Sequence, residues 1–381
     1  MGPLAGLRVI EIAGRGPGPL AGMMLADMGA HVLRVDRVGD PGRPEAPDDR
    51  LELVNRGRRS IALDLKQPAG LAVLLRLVER SDVLFEGFRP GVAERLGFGP
   101  AVCLERRPSL VYARATGWGQ DGPLAGAAGH DIDYIAVAGA LDPIGEAGGP
   151  PVVPLNLIGD YAGGGMLLAF GIVCGALEAR SSGLGQVIDA AMLDGSSLLM
   201  TLFHGRLLNG TWREDRGSNL LDGGSPYYGV YEAKDGRYLA VGAIEERFHR
   251  ELLRVLGIGD APEPLRRRDW PMMRARLAAA FATRTRDEWM AMFDGSDACV
   301  APVLGLSEVA GHPHVAARHG FTEIGGVRQP SPAPRFARTP GAITLPPPHV
   351  GEHTREVLAE FGYGQHEIDR LLAASAASQL A

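Results

Sequence analysis

Short apolar runs alternate with amphipathic and glycine-rich stretches in the first half of the chain. The apolar runs predict strands at 7–13, 30–36, 60–65, 82–86 and 110–115. The amphipathic stretches between them predict helices at 20–28 and 68–80. A strand, a glycine-rich loop, a helix and a second strand follow one another within about thirty residues, which is the length of a βαβ unit. The pattern therefore predicts an α/β fold with a parallel sheet.

The pattern changes near residue 182. Further helices are predicted at 187–209, 246–256, 272–283, 286–293, 352–361 and 366–374. Residues 227–243 alternate as a β-hairpin around Lys234-Asp235-Gly236, and the prolines of 329–348 predict an extended strap. We therefore divide the chain into a large domain (1–198), a linker (199–226), a small α+β domain (227–312) and a return segment (313–381). The return segment is the strap with the C-terminal helices, and we expect it to pack on the large domain.

The stretch 129–165 combines ionisable groups with glycine. His130 and Asp160 each follow a glycine, and Asp160 precedes an uninterrupted apolar run at 166–177. An aspartate in that place predicts a helix N-cap, where the helix dipole favours the ionised carboxylate. Three glycines follow in the first turn, each at a cost of roughly 1 kcal/mol relative to alanine, which predicts close approach of a ligand to the backbone. The stretch thus offers an imidazole and a carboxylate, two possible bases, beside a helix N-terminus.

Composition and charge exclude several classes of function. The 381 residues carry a net charge of −6 without a basic run, which argues against nucleic acid as a partner. The three cysteines are far apart in sequence, as expected of free thiols in a reducing compartment. The N-terminal sequence lacks a signal-peptide pattern, and the uncharged segment 161–177 is short and glycine-rich, which predicts a buried core helix. We expect a soluble cytoplasmic protein with no membrane partner.

Three familiar kinds of site fit poorly. A dinucleotide site is suggested by Gly14-x-Gly16 after the first strand and Asp36 after the second, but Pro17 and Pro19 remove N–H donors from the phosphate cradle. A nucleotide-containing ligand held in another way stays open. The histidines at 312, 314 and 319 lack accompanying carboxylates or cysteines, so we predict no metal site. A Gly-x-Ser-x-Gly nucleophile motif is also missing from the sequence.

Basic residues cluster at the predicted strand ends. They are Arg37, Arg56, Arg58, Arg59, Lys66, Arg89 and Arg95. Each can be a solvated surface charge. Several of them together can also form a phosphate-binding rim, because ligands of parallel sheets bind at the carboxyl ends of the strands. The residues alone leave both interpretations open.

Motifs along nearly the whole chain resemble those of the family III CoA-transferases. The matching segments include Leu25-Ala26-Asp27-Met28-Gly29-Ala30, Asn55-Arg56-Gly57-Arg58-Arg59-Ser60, Arg89-Pro90-Gly91-Val92, Gly129-His130-Asp131, Gly159-Asp160, Gly185-Gln186-Val187-Ile188-Asp189 and Ala243-Ile244-Glu245. The resemblance implies a large domain with a Rossmann-like parallel sheet, a smaller α+β domain and an interlocked homodimer.

Within this family, the histidine and the glutamate resemble those of the racemases of 2-methylacyl-CoA thioesters. The resemblance implies proton transfer between His130, Asp160 and the substrate, with Glu245 of the other subunit supporting the imidazole. Inverting a carbon beside a thioester needs a base on each face, and the enolate that forms needs hydrogen-bond donors. The backbone N–H of Asp131 is our candidate donor. The alternative is a CoA-transferase that moves CoA between carboxylic acids through an acyl anhydride on Asp160. A CoA-binding paralogue without activity is a third possibility.

The resemblance also implies where CoA binds. We expect Arg37, Lys66, Arg89 and Arg95 to neutralise its phosphates, and the backbone from Ala62 to Leu65 to face the adenine. Beyond the CoA moiety of the substrate we expect no cofactor. Arg15 departs from the apolar residue expected in the loop that borders the adenine. For the acyl chain, we expect an apolar wall that draws on Met166, Leu220 and Tyr228.

Overall fold

The alternation of strands and helices predicted for the first half of the chain is present in the computed structural model, which describes residues 2–39 and 48–380. The strands are β1 (Arg8–Ile12), β2 (His31–Arg37), β3 (Arg58–Leu63), β4 (Val83–Glu86), β5 (Val111–Thr116), β6 (Val187–Ala191), β7 (Gly229–Glu232), β8 (Tyr238–Val241), β9 (Val300–Pro302), β10 (Phe321–Ile324), β11 (Val327–Pro330) and β12 (Ala377–Ser378). The helices are α1 (Pro17–Asp27), α2 (Pro68–Val78), α3 (Val92–Arg95), α4 (Pro100–Arg106), α5 (Asp131–Val137), α6 (Leu167–Ser182), α7 (Met192–Leu199), α8 (Thr201–Leu208), α9 (Glu246–Leu256), α10 (Trp270–Phe281), α11 (Arg286–Phe293), α12 (Pro313–Ala317), α13 (Thr354–Glu360) and α14 (Gln365–Ala373). A π-helical segment, Leu157–Met166, leads directly into α6.

These elements belong to two compact units. The first unit comprises Met1–Ala138, Leu155–Leu199 and Ala316–Ala381, and the second comprises Gly139–Pro154 and Met200–Val315. Each unit has its own sheet and its own apolar core.

The first unit is built on a seven-stranded sheet in the described part of the chain, with the order β12-β3-β2-β1-β4-β5-β6. All pairs from β3 to β6 are parallel, and the short β12 adds an antiparallel edge to β3. The predicted α/β fold with a parallel sheet is therefore confirmed. Because the carboxyl ends of parallel strands meet at one edge, the loops after them converge there.

Both faces of this sheet are covered by helices. Successive residues of a strand point to opposite faces, so in β1 Ile10 packs in one core and Val9 in the other. The first core is closed by residues of α2, α4, α13 and α14, and the second by residues of α1 and α6. This two-sided burial explains why the strands are continuous apolar runs rather than alternating ones.

The second unit contains the antiparallel sheet β7-β8-β9. The hairpin predicted at 227–243 is present, with Gly229 opposite Val241 and Glu232 opposite Tyr238. Its inner face packs on α9, α10 and α11 through an aromatic core that includes Phe281 and Trp289. This unit is therefore a small α+β structure.

Two predicted elements are wrong in part. The helix predicted at 187–209 begins only at Met192, because β6 precedes it and pairs with β5 from Tyr112↔Val187 to Thr116↔Ala191. The β-branched pair Val187-Ile188 favours a strand beside an open sheet edge. The segment 161–177, predicted as a buried core helix, is buried on one face only. By length and composition, the helical stretch Leu157–Ser182 could also cross a membrane, and half of its most apolar window is buried.

The other face of α6 is apolar and exposed to solvent. Phe170, Val173 and Leu177 on this face recur at helical spacing with Met166, which directly precedes α6, and Phe170 and Leu177 are 67% and 70% exposed. Isolated exposed apolar residues are ordinary, whereas a continuous stripe marks a surface that another molecule covers.

Candidate active site

A cavity of about 310 Å³ opens at the carboxyl ends of β4 and β5 in the first unit. It is lined by Arg15, Gly16, Pro17, Gly87, Phe88, Arg89, Pro90, Ala115, Thr116, Gly117, Trp118, Ala125, Ala127, Gly129, His130, Tyr134, Asp160 and Met192. His130 and Asp160 therefore line the same cavity, which we call the catalytic cavity. Most of its wall comes from loops that follow parallel strands, the usual place for ligands in α/β sheets.

His130 directly precedes α5. Its backbone N–H donates to Asp133 Oδ2 at 2.9 Å, and its carbonyl accepts the backbone N–H of Asp133 at 2.9 Å. These two bonds fix the backbone at the start of α5 and leave the imidazole to the cavity, where the side chain is exposed. Asp131 is the first residue of α5, so its own N–H has no acceptor one turn earlier within the helix.

Asp160 is not a helix N-cap, and that prediction is wrong. It lies inside the π-helical segment Leu157–Met166, whose N-cap position is Asn156. The Asn156 side chain donates from Nδ2 to Asp160 Oδ2 at 3.0 Å. Asp160 is partly exposed and lines the catalytic cavity. Single π-helical turns are rare in proteins and are frequently found at functional sites.

The glycines after Asp160 serve packing rather than ligand approach. A Cβ at Gly164 would lie 2.7 Å from Pro17 Cβ and 2.8 Å from Met192 Cγ. A Cβ at Gly163 would lie 2.8 Å from the backbone nitrogen of Ser196. The bare backbone of this segment therefore fits tightly between α1 and α7, which corrects the interpretation given to these glycines.

The Asp131 side chain contacts the backbone of the π-helical segment. Its Oδ1 accepts the N–H of Asp160 at 2.6 Å, and the N–H of Gly159 interacts with the same carboxylate. Burial raises the pKa of the Asp131 carboxyl, and the negative charge of Asp160 raises it further. The sequence singled out only the backbone of Asp131, so this role of its side chain was missed.

A second cavity of about 300 Å³ lies at the carboxyl ends of β1, β2 and β3. It is lined by Ile12, Ala13, Val35, Asp36, Arg37, Leu63, Asp64, Leu65, Lys66, Phe88 and Leu96. Three residues predicted for CoA, Arg37, Leu65 and Lys66, are thus brought together in what we call the nucleotide cavity. Phe88 lines both cavities, so the two are neighbours.

The other residues predicted for CoA lie elsewhere. Arg89 lines the catalytic cavity, together with Arg15, and Arg95 lies exposed on α3 outside the lining of both cavities. Ala62 is buried within β3, between β2 and β12, and its N–H donates to Thr354 Oγ1 at 3.2 Å. The structure does not support a contact between Ala62 and adenine.

Three arginines of the predicted phosphate rim are structural instead. Each pairs with carboxylates of the first unit: Arg56 with Asp27 at 2.6 Å, Arg58 with Glu11 at 3.0 Å, and Arg59 with Glu356 and Glu360 at 2.8 and 2.7 Å. The Arg58–Glu11 contact is an ion pair without hydrogen-bond geometry, although Arg58 also donates to the carbonyl of Pro19. Burial lowers the pKa of Arg58 to about 10 and raises the pKa of Glu11.

Glu245 belongs to the second unit. It is exposed at the N-cap position of α9, where its carbonyl accepts the N–H of His249 at 2.9 Å. Its carboxylate adds to burial in raising the pKa of the Cys299 thiol. Of the predicted wall residues, Met166 lies in the first unit, and Leu220 and Tyr228 lie in the second.

Sequence reasoning missed two residues that line the catalytic cavity and one that contacts Asp160. Trp118 and Tyr134 line the cavity as an edge-to-face pair with ring centroids 4.8 Å apart, and the Tyr134 hydroxyl donates to the carbonyl of Gly129 at 2.5 Å. Asn156 could have been found from the sequence, since it stands four residues before Asp160, within reach across one helical turn. The aromatic pair had no local signal, because Trp118 follows β5 and Tyr134 lies in α5.

The chain is similar to several known proteins over nearly its whole length. The model of CoA-transferase family III matches residues 4–354. The chain is 45% identical over 372 residues to alpha-methylacyl-CoA racemase from Mus musculus, with 97% of this chain and 96% of that protein covered. It is 44% identical over 374 residues to alpha-methylacyl-CoA racemase from Homo sapiens, with the same coverage. A crystal structure of a CaiB/BaiF family protein from Brucella suis matches with a TM-score of 0.81 at 26% identity, covering 94% of this chain and 99% of that chain. The chain belongs to CoA-transferase family III.

Proposed function

We propose that the protein is a racemase that interconverts (2R)- and (2S)-2-methylacyl-CoA thioesters by proton transfer at carbon 2. The observation that carries the proposal is that His130 and Asp160 line one cavity of about 310 Å³. The mouse and human relatives, named for this activity, match the chain over 97% of its length and support it.

Two bases are needed because the proton leaves one face of carbon 2 and a proton returns to the other. One base takes the proton and leaves an enolate, and the conjugate acid of the other base then protonates the opposite face. The imidazole of His130 and the carboxylate of Asp160 can exchange these roles when the reaction reverses. The hydrogen bond from Asn156 holds the Asp160 carboxylate in one orientation, which suits a base that acts on one face of carbon 2.

The enolate requires a donor where the negative charge develops, on the thioester oxygen. We assign this role to the backbone N–H of Asp131, at the start of α5 and directly after His130. A donor of this kind is worth roughly 3 kcal/mol in the transition state. The partial positive charge of the helix N-terminus acts in the same sense.

The nucleotide cavity suits the adenosine end of CoA. It presents the cations of Arg37 and Lys66, and Arg89 and Arg15 stand at the neighbouring catalytic cavity. Among the described residues, none of these four side chains is in an ion pair within 4.0 Å, so they are available for phosphates. The reaction needs no cofactor beyond the CoA moiety of the substrate.

We also propose a cytoplasmic homodimer. The exposed stripe of Met166, Phe170, Val173 and Leu177 on α6 supports a second copy of the chain as the partner that covers it. In this assembly, Glu245 of the partner subunit would hydrogen-bond the His130 imidazole, fix its tautomer and stabilise its cation.

The proposed function is tested with a single epimer of a 2-methylacyl-CoA in deuterium oxide. A racemase incorporates deuterium at carbon 2 and forms the other epimer without any added carboxylic acid. Movement of CoA only when a carboxylate acceptor is supplied, with hydroxylamine trapping an acyl group on Asp160, would instead identify a CoA-transferase. Binding of the thioester with neither reaction would identify an inactive CoA-binding protein.

A further inference from the structure

The first N–H groups of any helix need acceptors from outside the helix. In a π-helix the hydrogen bonds run between residues five apart, so the first five N–H groups lack an internal acceptor. The π-helical segment begins at Leu157, and Gly159 and Asp160 are therefore among the residues that need such a partner. An aspartate at this place would ordinarily supply its own carboxylate as the cap, but the Asp160 side chain instead contacts Asn156 and the catalytic cavity.

The missing acceptor is the carboxylate of Asp131, 29 residues earlier in the chain. Its Oδ1 lies 2.6 Å from the backbone nitrogen of Asp160, and the side chain is nearly fully buried, at 7% exposure. Gly159 is matched to this contact, because a Cβ at that position would lie 2.6 Å from the same Oδ1. Glycine at position 159 therefore leaves the space that the Asp131 carboxylate occupies.

We propose that the Asp131 side chain is a positioning residue for the racemase reaction: it caps the π-helical segment from outside and so leaves the Asp160 carboxylate to the catalytic cavity. Asp131 also follows His130 directly in the chain. A single side chain therefore ties the backbone that carries one base to the backbone that carries the other. The proposal rests on the proposed function.

The position of this carboxylate also gives it an electrostatic effect. Asp131 Oδ2 is buried without a hydrogen-bond partner among the described residues, so its charge is poorly screened. The titratable and charged groups on the elements around it are Asp160 and Tyr161 on the π-helical segment, His130, Asp133 and Tyr134 at α5, and Asp194 on α7. Among these, Asp160 is the carboxylate whose charge acts on Asp131, where it adds to burial in raising the pKa of that carboxyl.

Two variants separate the hydrogen bond from the charge. Asp131→Ala removes both, whereas Asp131→Asn keeps an oxygen acceptor and removes the charge. Asp82→Asn is the matched control, because Asp82 Oδ2 accepts the backbone N–H of Arg8 at 2.9 Å, immediately before β4 and away from both cavities. The readouts are hydrogen exchange of the Gly159 and Asp160 amides, and kcat and KM measured separately for a 2-methylacyl-CoA.

For Asp131→Ala we expect amide exchange at Gly159 and Asp160 to be about tenfold faster, because the native acceptor is gone. We expect kcat to fall about 100-fold with KM changed less than about threefold, since a misplaced base affects the reacting carbon rather than CoA binding. For Asp131→Asn we expect nearly normal amide exchange and a kcat within about threefold of the wild-type value, because the amide oxygen keeps an acceptor for the Asp160 N–H. Asp82→Asn should change none of these quantities.

A folded Asp131→Ala protein with wild-type exchange at both amides would overturn the capping role. If Asp131→Ala does not fold, Gly159→Ala decides, because its Cβ would lie 2.6 Å from Asp131 Oδ1 and displace the acceptor: wild-type amide exchange at Asp160 with wild-type kcat would overturn the proposal. A wild-type protein that racemises no 2-methylacyl-CoA would contradict the proposed function. The amide-exchange measurement would then still show whether Asp131 caps the segment.

Discussion

Asn156 Nδ2 donates a hydrogen bond to Asp160 Oδ2 at 3.0 Å. The bond joins two residues of one chain segment, at its N-cap position and within its first turn. An amide donor holds the carboxylate in one orientation. Asp160 is therefore restrained twice, by Asn156 at its side chain and by Asp131 at its backbone.

Replacing Asn156 should slow the reaction without weakening the binding of the thioester. In Asn156→Ala the Asp160 carboxylate loses the donor that orients it, so we expect kcat to fall about tenfold and KM to change less than about threefold. The control is Asn209→Ala, which removes an exposed asparagine whose side chain accepts hydrogen bonds from Thr211. A wild-type kcat in Asn156→Ala would separate this bond from the chemistry.

Removing one of the two bases should leave proton exchange on only one face of carbon 2. For His130→Ala we expect epimerisation to fall by about 10³-fold or more, because general acid–base catalysis contributes about 10²–10⁴-fold. Deuterium exchange at carbon 2 should be lost more severely from one epimer than from the other, since Asp160 still reaches its own face. Each epimer is incubated separately in deuterium oxide and followed by NMR. Equal loss from both epimers in a folded protein would contradict the assignment of one base to each face.

The buried pair of Arg58 and Glu11 makes a prediction about stability. Arg58→Met leaves the Glu11 carboxylate buried without its cation, which should lower the free energy of unfolding by about 3–5 kcal/mol. The pKa of Glu11 is raised in the folded protein by burial, so the stability linked to this group is fully present below its unfolded value of 4.5 and is lost as pH rises through the folded value. The loss in Arg58→Met should therefore be larger at pH 8 than near pH 4.5.

Urea unfolding at the two pH values measures this difference. The double variant Glu11→Gln, Arg58→Met should recover part of the loss at pH 8, because the uncompensated charge is removed. Arg59→Met is the matched control, since its pair with Glu360 is half-exposed and should contribute less than about 1 kcal/mol. A loss in Arg58→Met that does not depend on pH would contradict the electrostatic explanation.

The apolar stripe on α6 makes a prediction about assembly. Phe170→Asp places a charge in the middle of the proposed interface, so we expect the dimer to dissociate, with a dissociation constant raised at least about 100-fold. Sedimentation velocity over a range of protein concentrations measures the change. Glu178→Gln, an exposed change on the same helix, should leave the association intact. A wild-type protein that stays monomeric at high concentration would rule out the second copy as the partner of this face.

Much of the large sheet could be predicted from the sequence because its strands are buried on both faces. Runs such as 7–13 and 82–86 have few alternatives to a parallel strand between helices. The weakest prediction there was the helix at 187–209, since an apolar stretch that follows a glycine can continue a sheet or begin a helix. Residues 187–191 form a strand because they pair with the free edge of β5, and this edge forms only when the chain folds.

The candidate site was predictable as a set of residues but not as a set of contacts. His130 and Asp160 were identified, whereas the cap of the π-helical segment was assigned to Asp160 instead of Asp131, because local rules consider only neighbours in sequence. The roles of Arg56, Arg58 and Arg59 were mistaken for the same reason. Their carboxylate partners range from 29 residues away, for Asp27, to about 300, for Glu360. A basic residue at a strand end looks the same in sequence whether it binds a phosphate or a carboxylate.

The Phe88 ring lines both the catalytic cavity and the nucleotide cavity. If CoA binds in one cavity and its acyl group reacts in the other, the thiol that bears the acyl group must be long enough to pass this ring. A thioester of a short thiol such as N-acetylcysteamine would fill the catalytic cavity, beside His130 and Asp160, and leave the nucleotide cavity empty. The position of Phe88 therefore favours thioesters of full-length CoA over those of short thiols.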